Sequence, residues 1–220
     1  MGKMITLTAS DGHSLSAYEA GLADSPRALV VLQEAFGVNH HIRAVCDGFA
    51  DSGYHVIAPA LFDRAERGVE MGYEGPDLQR GMGLCQKINP ADTLADIIAG
   101  AEALGRGSVG VIGYCWGGTL AWAAATRTKR FKAAVGWYGG GIVGMKDAVA
   151  NCPVQLHFGA EDTHIPLSDV EGIRAAQPGV EVFVYAGAGH GFGCSERGSY
   201  DARSAALAQE RSLAFLQHHL

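Results

Sequence analysis

Two hydrophobic patterns alternate along most of the chain. Short apolar runs, which are typical of buried strands, are followed by stretches in which apolar residues recur at helical spacing. The predicted strands cover residues 4–8, 15–20, 27–34, 55–62, 108–115, 131–140, 152–159 and 180–187. The predicted helices cover residues 39–54, 90–105, 118–127, 168–177 and 201–219. The first of these helices carries Ile42, Val45, Cys46 and Phe49 on one face, which is expected to be buried.

This order of elements predicts the fold class. Strands that alternate with helices imply right-handed crossovers, and hence an α/β fold with a mainly parallel, twisted sheet covered by helices on both faces. Residues 63–91 read as a polar excursion that contains glycine, and no large cap domain is predicted. The length fits a single domain over residues 1–220. Ligands of such sheets bind beyond the carboxyl ends of the strands, so the residues there are the candidate site.

Composition and charge exclude several classes of partner. The formal net charge is −6, and no run of lysine or arginine occurs, which argues against binding to nucleic acid or to an anionic membrane. No apolar run approaches the roughly 20 residues of a membrane span, and the first residues lack the apolar core of a signal peptide. The five cysteines form no CxxC and no zinc-ligand spacing. Their odd number therefore predicts reduced thiols and a cytoplasmic location.

One cysteine lies at the corner between a predicted strand and a predicted helix. The segment Gly113-Tyr114-Cys115-Trp116-Gly117 is the cysteine form of the G-x-S-x-G nucleophile elbow. A sharp turn presents the side chain above the sheet, and the flanking glycines allow strand and helix to approach closely. The helix N-terminus favours a thiolate, and the next backbone N–H can face a developing oxyanion. The alternative interpretation is a small buried cysteine beside a tight turn.

The partners of a catalytic triad follow such a nucleophile in the order acid, then histidine. After the strand 152–159 the chain offers two carboxylates, Glu161 and Asp162. After the strand 180–187 it offers His190. Because all of these residues follow parallel strands, we expect them on the same rim of the sheet as the nucleophile.

Two other histidines compete for the role of the base. His157 lies inside a predicted strand and is expected to be a core residue. His164 is too close along the chain to the candidate acids to be their partner in the usual order. His190 is therefore the predicted base.

Five segments of the chain are together far more specific than a lone elbow. They are "QEAFGVNHHIR" (33–43), "GYHVIAPALF" (53–62), "GYCWGG" (113–118), "FGAEDTHIP" (158–166) and "GAGHGF" (187–192). With them the chain resembles the dienelactone hydrolase family of α/β-hydrolases over nearly its whole length. The resemblance implies the α/β-hydrolase fold. The family pattern G-x-x-D-x-x-x-P selects Asp162 over Glu161, so the triad implied is Cys115, Asp162 and His190.

The resemblance also implies roles for residues that triad logic does not predict. Glu34 would hydrogen-bond the nucleophile in the resting enzyme and help to take its proton. Without the resemblance, Glu34 would read as a helix cap or as part of a salt bridge on the rim. The backbone N–H groups of Ala35 and Trp116 would form the oxyanion hole.

The implied reaction is hydrolysis of a small ester or lactone through a thioester on Cys115. The reference substrate of the family is dienelactone (carboxymethylenebutenolide), which is opened to maleylacetate in aromatic compound degradation. The implied partner is thus a small, anionic ester or lactone, no metal or organic cofactor is required, and the chain is expected to be a monomer or a small homo-oligomer. Alternatives are a hydrolase of other small carboxylic esters or thioesters and, more distantly, a non-catalytic redox or ligand-binding protein of the same fold.

An anionic substrate in an acidic protein requires a local cation. Arg80 lies where the family carries one carboxylate-binding arginine. The second is expected four residues after the catalytic histidine, where this chain has Cys194. Arg197 could reach the same space from the same loop. For both arginines a surface salt bridge is the alternative role, and the departure at Cys194 bears on dienelactone as a substrate more than on ester hydrolysis.

Overall fold

The computed structural model describes residues 2–220, and its contacts divide the chain into two compact units, one ending at Val111 and the other comprising Ile112–Leu220. The strands are β1 (Lys3–Thr8), β2 (Ser14–Ala20), β3 (Arg27–Leu32), β4 (Tyr54–Pro59), β5 (Gly110–Tyr114), β6 (Ala133–Trp137), β7 (Val154–Gly159) and β8 (Glu181–Tyr185). The helices are α1 (His40–Asp51), α2 (Gly75–Lys87), α3 (Pro90–Ala103), α4 (Trp116–Arg127), α5 (Leu167–Ala176) and α6 (Ala202–His219). In the first unit the strand order is β1-β2-β4-β3, and in the second β6, β7 and β8 are neighbours in that order.

The first unit joins an antiparallel hairpin to parallel strands. β1 pairs with β2 in antiparallel register, with Leu7 opposite Leu15, and β2 continues antiparallel to β4. β3 lies parallel to β4, with Leu29 opposite Val56. Every residue of β4 is buried, whereas β1 alternates more exposed with less exposed positions. The outer hairpin strand therefore shows the period-two pattern of a one-sided strand, and β4 shows the continuous apolar pattern of a strand buried on both faces.

The helices of this unit begin at side-chain caps. The Asn39 side chain accepts the backbone N–H of Ile42 at 3.2 Å and so caps α1. Asn89 caps α3 in the same way, and Pro90 occupies the first helical position, where a missing N–H costs nothing. Of the four residues on the predicted apolar face of α1, Ile42, Cys46 and Phe49 are buried, and Val45 is half-buried.

The second unit is built on parallel strands. β6 pairs with β7, with Gly136 opposite Leu156, and β7 pairs with β8, with His157 opposite Phe183. α4 contacts β6, and α6 contacts both β6 and β7. The prediction of an α/β fold with a mainly parallel sheet is confirmed.

Two helical segments were not predicted. The excursion 63–91 contains α2, whose buried residues are only Gly81 and Leu84. Its sequence is polar on average and includes three glycines and a proline, which have low helix propensity, so it was not predicted as a helix. Gly81 is required there, because a Cβ at this position would lie 1.7 Å from the carbonyl oxygen of Ala35. A short 3-10 helix, Gly140–Met145, follows β6.

Several predicted strands are shorter than expected. β4 ends at Pro59, and the apolar residues that follow it form a 3-10 turn, Leu61–Arg64, which buries Leu61 and Phe62. β3 ends at Leu32, so Glu34 lies two residues beyond it. The apolar pattern did not distinguish these buried turns from strands, because the side chains of both are buried and apolar or close to apolar residues in the sequence.

Among residues 2–220, none of the helices combines the length and the apolar character that crossing a membrane requires. Within the same residues no inserted cap domain is present. The assignment of residues 1–220 to a single domain stays a prediction.

Candidate active site

The backbone at Cys115 adopts a conformation that L-residues rarely populate. Its φ is 56° and its ψ is −114°, directly between the end of β5 and the start of α4. Such strained residues persist only where the surrounding structure determines them, and they concentrate at functional sites. α4 begins at the next residue, Trp116, so the positive end of the helix dipole lies beside the thiol.

The glycines around this corner are there because backbone atoms approach them. A Cβ at Gly113 would lie 2.0 Å from the carbonyl oxygen of Gly117. A Cβ at Gly118 would lie 2.4 Å from the carbonyl oxygen of Trp137, at the end of β6. The G-x-C-x-G-G sequence therefore permits the strand–helix contact that the elbow requires.

Three polar side chains from three loops of the second unit meet at this corner. His190 Nε2 lies 3.2 Å from Cys115 Sγ, and His190 Nδ1 lies 2.8 Å from Asp162 Oδ2. The other carboxylate oxygen, Asp162 Oδ1, accepts the backbone N–H groups of His164 and Ile165 at 2.8 and 3.1 Å. These N–H bonds fix the carboxylate, which in turn orients the imidazole toward sulfur.

The structure distinguishes between the residues that the sequence left as alternatives. Asp162 is buried against His190, whereas Glu161 is exposed. His164 is also exposed, and its ring approaches that of His190 edge-on, with centroids 5.3 Å apart. His157 is fully buried in β7, as expected of a core residue.

The electrostatics of the cluster favour a protonated histidine. Burial by itself would lower the pKa of His190, but its hydrogen bonds to Asp162 and Cys115 outweigh burial and raise that pKa to about 9. Burial would conversely raise the pKa of Asp162, and the bonds from His190 and from two backbone N–H groups hold it below its ordinary value. At neutral pH an imidazolium thus faces Cys115 Sγ, an arrangement that can activate a thiol nucleophile.

The same geometry is accompanied by a sequence match over almost the whole chain. The profile of the dienelactone hydrolase family matches residues 15–220. The chain belongs to the dienelactone hydrolase family.

Members of this family are similar to the chain along most of their length. A Synechocystis sp. protein, provisionally named a carboxymethylenebutenolidase, is 36% identical over 212 residues, which cover 87% of this chain and 86% of the relative. The carboxymethylenebutenolidase of Pseudomonas putida is 31% identical over 224 residues, which cover 96% and 94% of the two chains. The crystal structure of a provisionally assigned dienelactone hydrolase from Klebsiella pneumoniae is similar with a TM-score of 0.84 and 34% identity, covering 98% of this chain and 99% of that chain. The α/β-hydrolase fold and the membership in a hydrolase family follow from these matches.

Two residues for which the resemblance implies catalytic roles, Glu34 and Ala35, belong to the first unit. Glu34 is fully buried, and one of its carboxylate oxygens lies within 4.8 Å of a ring nitrogen of the buried His41. Ala35, the next residue, is also fully buried, and its carbonyl oxygen faces Gly81 of α2. The roles of Glu34 and Ala35 toward the nucleophile stay predictions, as does the oxyanion role of Trp116.

The two candidate substrate-binding arginines differ in their surroundings. Arg80 on α2 forms an exposed ion pair with Glu66, which occupies its guanidinium at the surface. The Arg197 guanidinium lies against Gly191, the residue after the predicted base, since a Cβ there would be 2.5 Å from Arg197 Nη1. Cys194, at the position of the family's second arginine, is fully buried. Carboxylate binding by either arginine stays a prediction.

The raised pKa of His190 predicts a pH-dependent contribution to stability. Because its pKa is about 9 in the folded chain against an ordinary 6.5, the contribution is full below pH 6.5 and is lost as pH rises through 9. The lowered pKa of Asp162 predicts a loss of stability at acid pH. Its carboxylate contributes to stability above its ordinary pKa of 3.8, and this contribution is lost as pH falls through the lowered pKa of the folded chain. We expect the difference in unfolding free energy between wild type and His190→Gln to shrink between pH 6.5 and 9 by about 3 kcal/mol.

Urea unfolding at a series of pH values measures this difference. Gln217→Ala, which replaces an exposed residue without a titratable group near the end of α6, is the control and should show no such slope. A difference between wild type and His190→Gln that stays constant from pH 6.5 to 9 would contradict the prediction.

Proposed function

We propose that this protein hydrolyses a small enol-lactone such as dienelactone to maleylacetate, with Cys115 as the nucleophile and a thioester as the intermediate. The observation that carries the proposal is the hydrogen-bonded chain from Cys115 Sγ through His190 to Asp162. A redox or binding protein has no need of this chain. In a hydrolase each member has a role, as nucleophile, as base and as the group that orients the base.

The first half of the proposed reaction forms the thioester. The Cys115 thiolate attacks the lactone carbonyl, and the backbone N–H groups of Trp116 and Ala35 are the proposed donors to the oxyanion. The tetrahedral intermediate then collapses, the ring C–O bond breaks, and the leaving enolate oxygen takes its proton from the His190 imidazolium. Glu34 is proposed to accept the thiol proton before this attack.

The second half releases the product. His190, now neutral, takes a proton from a water molecule as the water oxygen attacks the thioester carbonyl. The C–S bond breaks, and the sulfur leaves as a thiolate beside the protonated His190. Glu34 is proposed to return its proton to the sulfur, which restores the starting state. Water and lactone are consumed in equal amounts, and no oxidant, metal or organic cofactor enters the balance.

The carboxylate of the substrate is proposed to bind an arginine. Arg197 is favoured because its guanidinium lies beside Gly191 in the loop that carries the proposed base. Arg80 is the second candidate, and to bind substrate it would have to exchange Glu66 for the substrate carboxylate. Because Cys194 replaces one family arginine, hydrolysis of other small carboxylic esters or thioesters is the second candidate function.

All five cysteines are free thiols, which supports the proposed cytoplasmic location. A monomer or a small homo-oligomer is proposed as the assembly.

The experiment that tests this function compares two substrates. Loss of the absorbance of dienelactone and of its uncharged methyl ester is followed with wild type and with Arg197→Ala under reducing conditions. We expect wild type to turn over dienelactone, and the variant to lose about tenfold in kcat/KM for dienelactone but little for the methyl ester, since only the acid has a carboxylate to pair. Arg174→Ala, which removes an arginine paired with Glu171 on α5, is the control and should behave as wild type.

The possible results separate the candidates. No turnover of dienelactone together with turnover of uncharged aryl esters would overturn the dienelactone assignment and favour the second candidate. Equal losses on both substrates in Arg197→Ala would contradict carboxylate binding by Arg197.

A further inference from the structure

A chain of buried hydrogen bonds in the second unit connects α6, β7 and β6. The Trp137 indole N–H donates to Ser212 Oγ at 3.1 Å, and Ser212 Oγ lies 3.1 Å from His157 Nε2. His157 Nε2 also lies 2.9 Å from Gln155 Oε1, and its Nδ1 lies 2.8 Å from the Tyr185 hydroxyl. The mechanism above uses none of these side chains, although a buried polar network of this size is costly unless every member is satisfied.

The donors and acceptors around His157 define one tautomer. The Gln155 amide N–H donates to Glu181 at 2.9 Å, which leaves Gln155 Oε1 as an acceptor facing His157 Nε2. His157 therefore carries its proton on Nε2, and Nδ1 accepts the Tyr185 hydroxyl. Burial, together with the charge of Arg211, lowers the pKa of His157 to about 3, so the ring is neutral in the physiological range.

The other end of the network is a residue that contacts the proposed active site from two sides. The carbonyl oxygen of Trp137 accepts the backbone N–H of Cys115 at 3.0 Å. The Trp137 indole stacks on Phe192, with centroids 5.4 Å apart, and a Cβ at Gly193 would lie 2.7 Å from the indole ring. Phe192 and Gly193 belong to the loop of His190. Trp137 therefore contacts the elbow through its backbone carbonyl and the histidine loop through its indole ring.

The backbone is strained at Tyr138, the residue after Trp137 at the end of β6. Tyr138 has a φ of 38°, and apart from Cys115 it is the only non-glycine residue with positive φ within residues 2–220. Its backbone N–H donates to the carbonyl oxygen of His157 at 2.8 Å, and its ring meets that of His190 edge-on at a centroid distance of 5.2 Å. The strained turn thus directs Trp137 toward the elbow and Tyr138 toward the histidine.

We propose that Ser212 and His157 are positioning residues for hydrolysis, which hold the Trp137 indole and thereby align Cys115 Sγ with His190 Nε2. They reach the reacting atoms only through Trp137. The inference rests on the proposed function in that it takes Cys115 and His190 as the reacting pair. Its physical basis is that proton transfer and attack depend steeply on alignment, and a misplacement of about 1 Å can cost about a hundredfold in rate.

The test is Ser212→Ala, which removes the acceptor of the Trp137 N–H. We expect kcat for ester hydrolysis to fall about tenfold while KM changes less than about twofold, because substrate binding is untouched. The alkylation of Cys115 by iodoacetamide, followed by mass spectrometry of the Cys115 peptide, should slow to a similar extent. Trp137→Phe should produce the same loss, and the double variant should lose no more than either single variant.

A second pair of variants separates positioning from stability. Ser204→Ala removes another buried serine of α6, at its N-terminus, where the hydroxyl bonds Asp201, and is expected to lower the melting temperature without changing kcat. Ser212→Thr keeps the hydroxyl and should restore most of the kcat.

Failure of the positioning role and failure of the proposed function would give different results. A Ser212→Ala variant that is only less stable, with wild-type kcat and wild-type Cys115 alkylation, would overturn the positioning role. If wild type hydrolyses no ester, the proposed function fails. The alkylation measurement still tests whether Ser212 aligns the cysteine–histidine pair.

Discussion

Cys115→Ala is expected to reduce ester turnover by about 10⁴-fold or more and to leave the melting temperature nearly unchanged. In the proposed mechanism the thiolate forms the covalent intermediate and neither His190 nor Asp162 can replace it, so losing this thiol is expected to disable all three residues together. Stability should change little because the Cys115 side chain is only partly buried and its backbone conformation is imposed by its neighbours. Steady-state hydrolysis and thermal unfolding of the same preparation measure both quantities.

A cysteine outside the site provides the control for this comparison. Cys152→Ala removes another partly buried thiol, two residues before β7, and should retain wild-type turnover. Cys115→Ser keeps a nucleophile beside the same His190–Asp162 pair and should retain more turnover than Cys115→Ala. If Cys115→Ala were as active as wild type, the cysteine would be a structural residue. A large fall in melting temperature would support the same conclusion.

Gly113→Ala is expected to destabilise the fold strongly. Its added Cβ would lie 2.0 Å from the carbonyl oxygen and 2.2 Å from the carbonyl carbon of Gly117, and neither backbone atom can move without displacing the start of α4. We expect a loss of more than about 4 kcal/mol in the free energy of unfolding, or failure to accumulate as folded protein. Urea unfolding and the yield of folded protein measure this effect.

Gly83→Ala in α2 is the matched control. No atom outside its own helix lies within 4 Å of the Cβ that it would add, and alanine is the better helix former. We expect Gly83→Ala to raise the free energy of unfolding by up to about 1 kcal/mol. Unfolding of Gly113→Ala at the wild-type urea concentration would show that the elbow relaxes more easily than its geometry indicates.

The hydrogen bonds of the site favour a deprotonated Asp162 and a protonated His190. The carboxylate of Asp162 is fixed by two backbone N–H groups and by His190, and this arrangement keeps the histidine protonated over a wide pH range. In a triad with serine, the resting histidine is neutral and takes the proton of the hydroxyl. The raised pKa of His190 instead suits a nucleophile that gives up its proton readily, as a thiol does.

The sequence by itself determined the strands, the elbow and the side of the sheet on which the chemistry lies. Buried strands have continuous apolar runs, and the carboxyl ends of parallel strands share one rim, so Cys115 and His190 could be placed there from order alone. The glycines around Cys115 also indicated a close approach of strand and helix, because such an approach leaves no room for a Cβ atom. These features are local or follow from topology.

Other features were decided only by tertiary structure. The residues alone left Glu161 and Asp162 as equal candidates, because both follow the same strand and only the fold turns one of them toward His190. The helix α2 was not recognised, because its sequence is polar and contains three glycines and a proline, and tertiary context overrides such unfavourable helix propensities.

The buried network is the clearest case of what the sequence does not show. Ser212 and Trp137 are 75 positions apart, and nothing near either of them marks the hydrogen bond that joins them. The ion pair between Arg80 and Glu66 is similar, since a charge on a helix does not reveal which carboxylate will face it. Hydrophobic periodicity specifies which face of an element is buried, but the partner of a polar atom depends on the three-dimensional approach of distant segments.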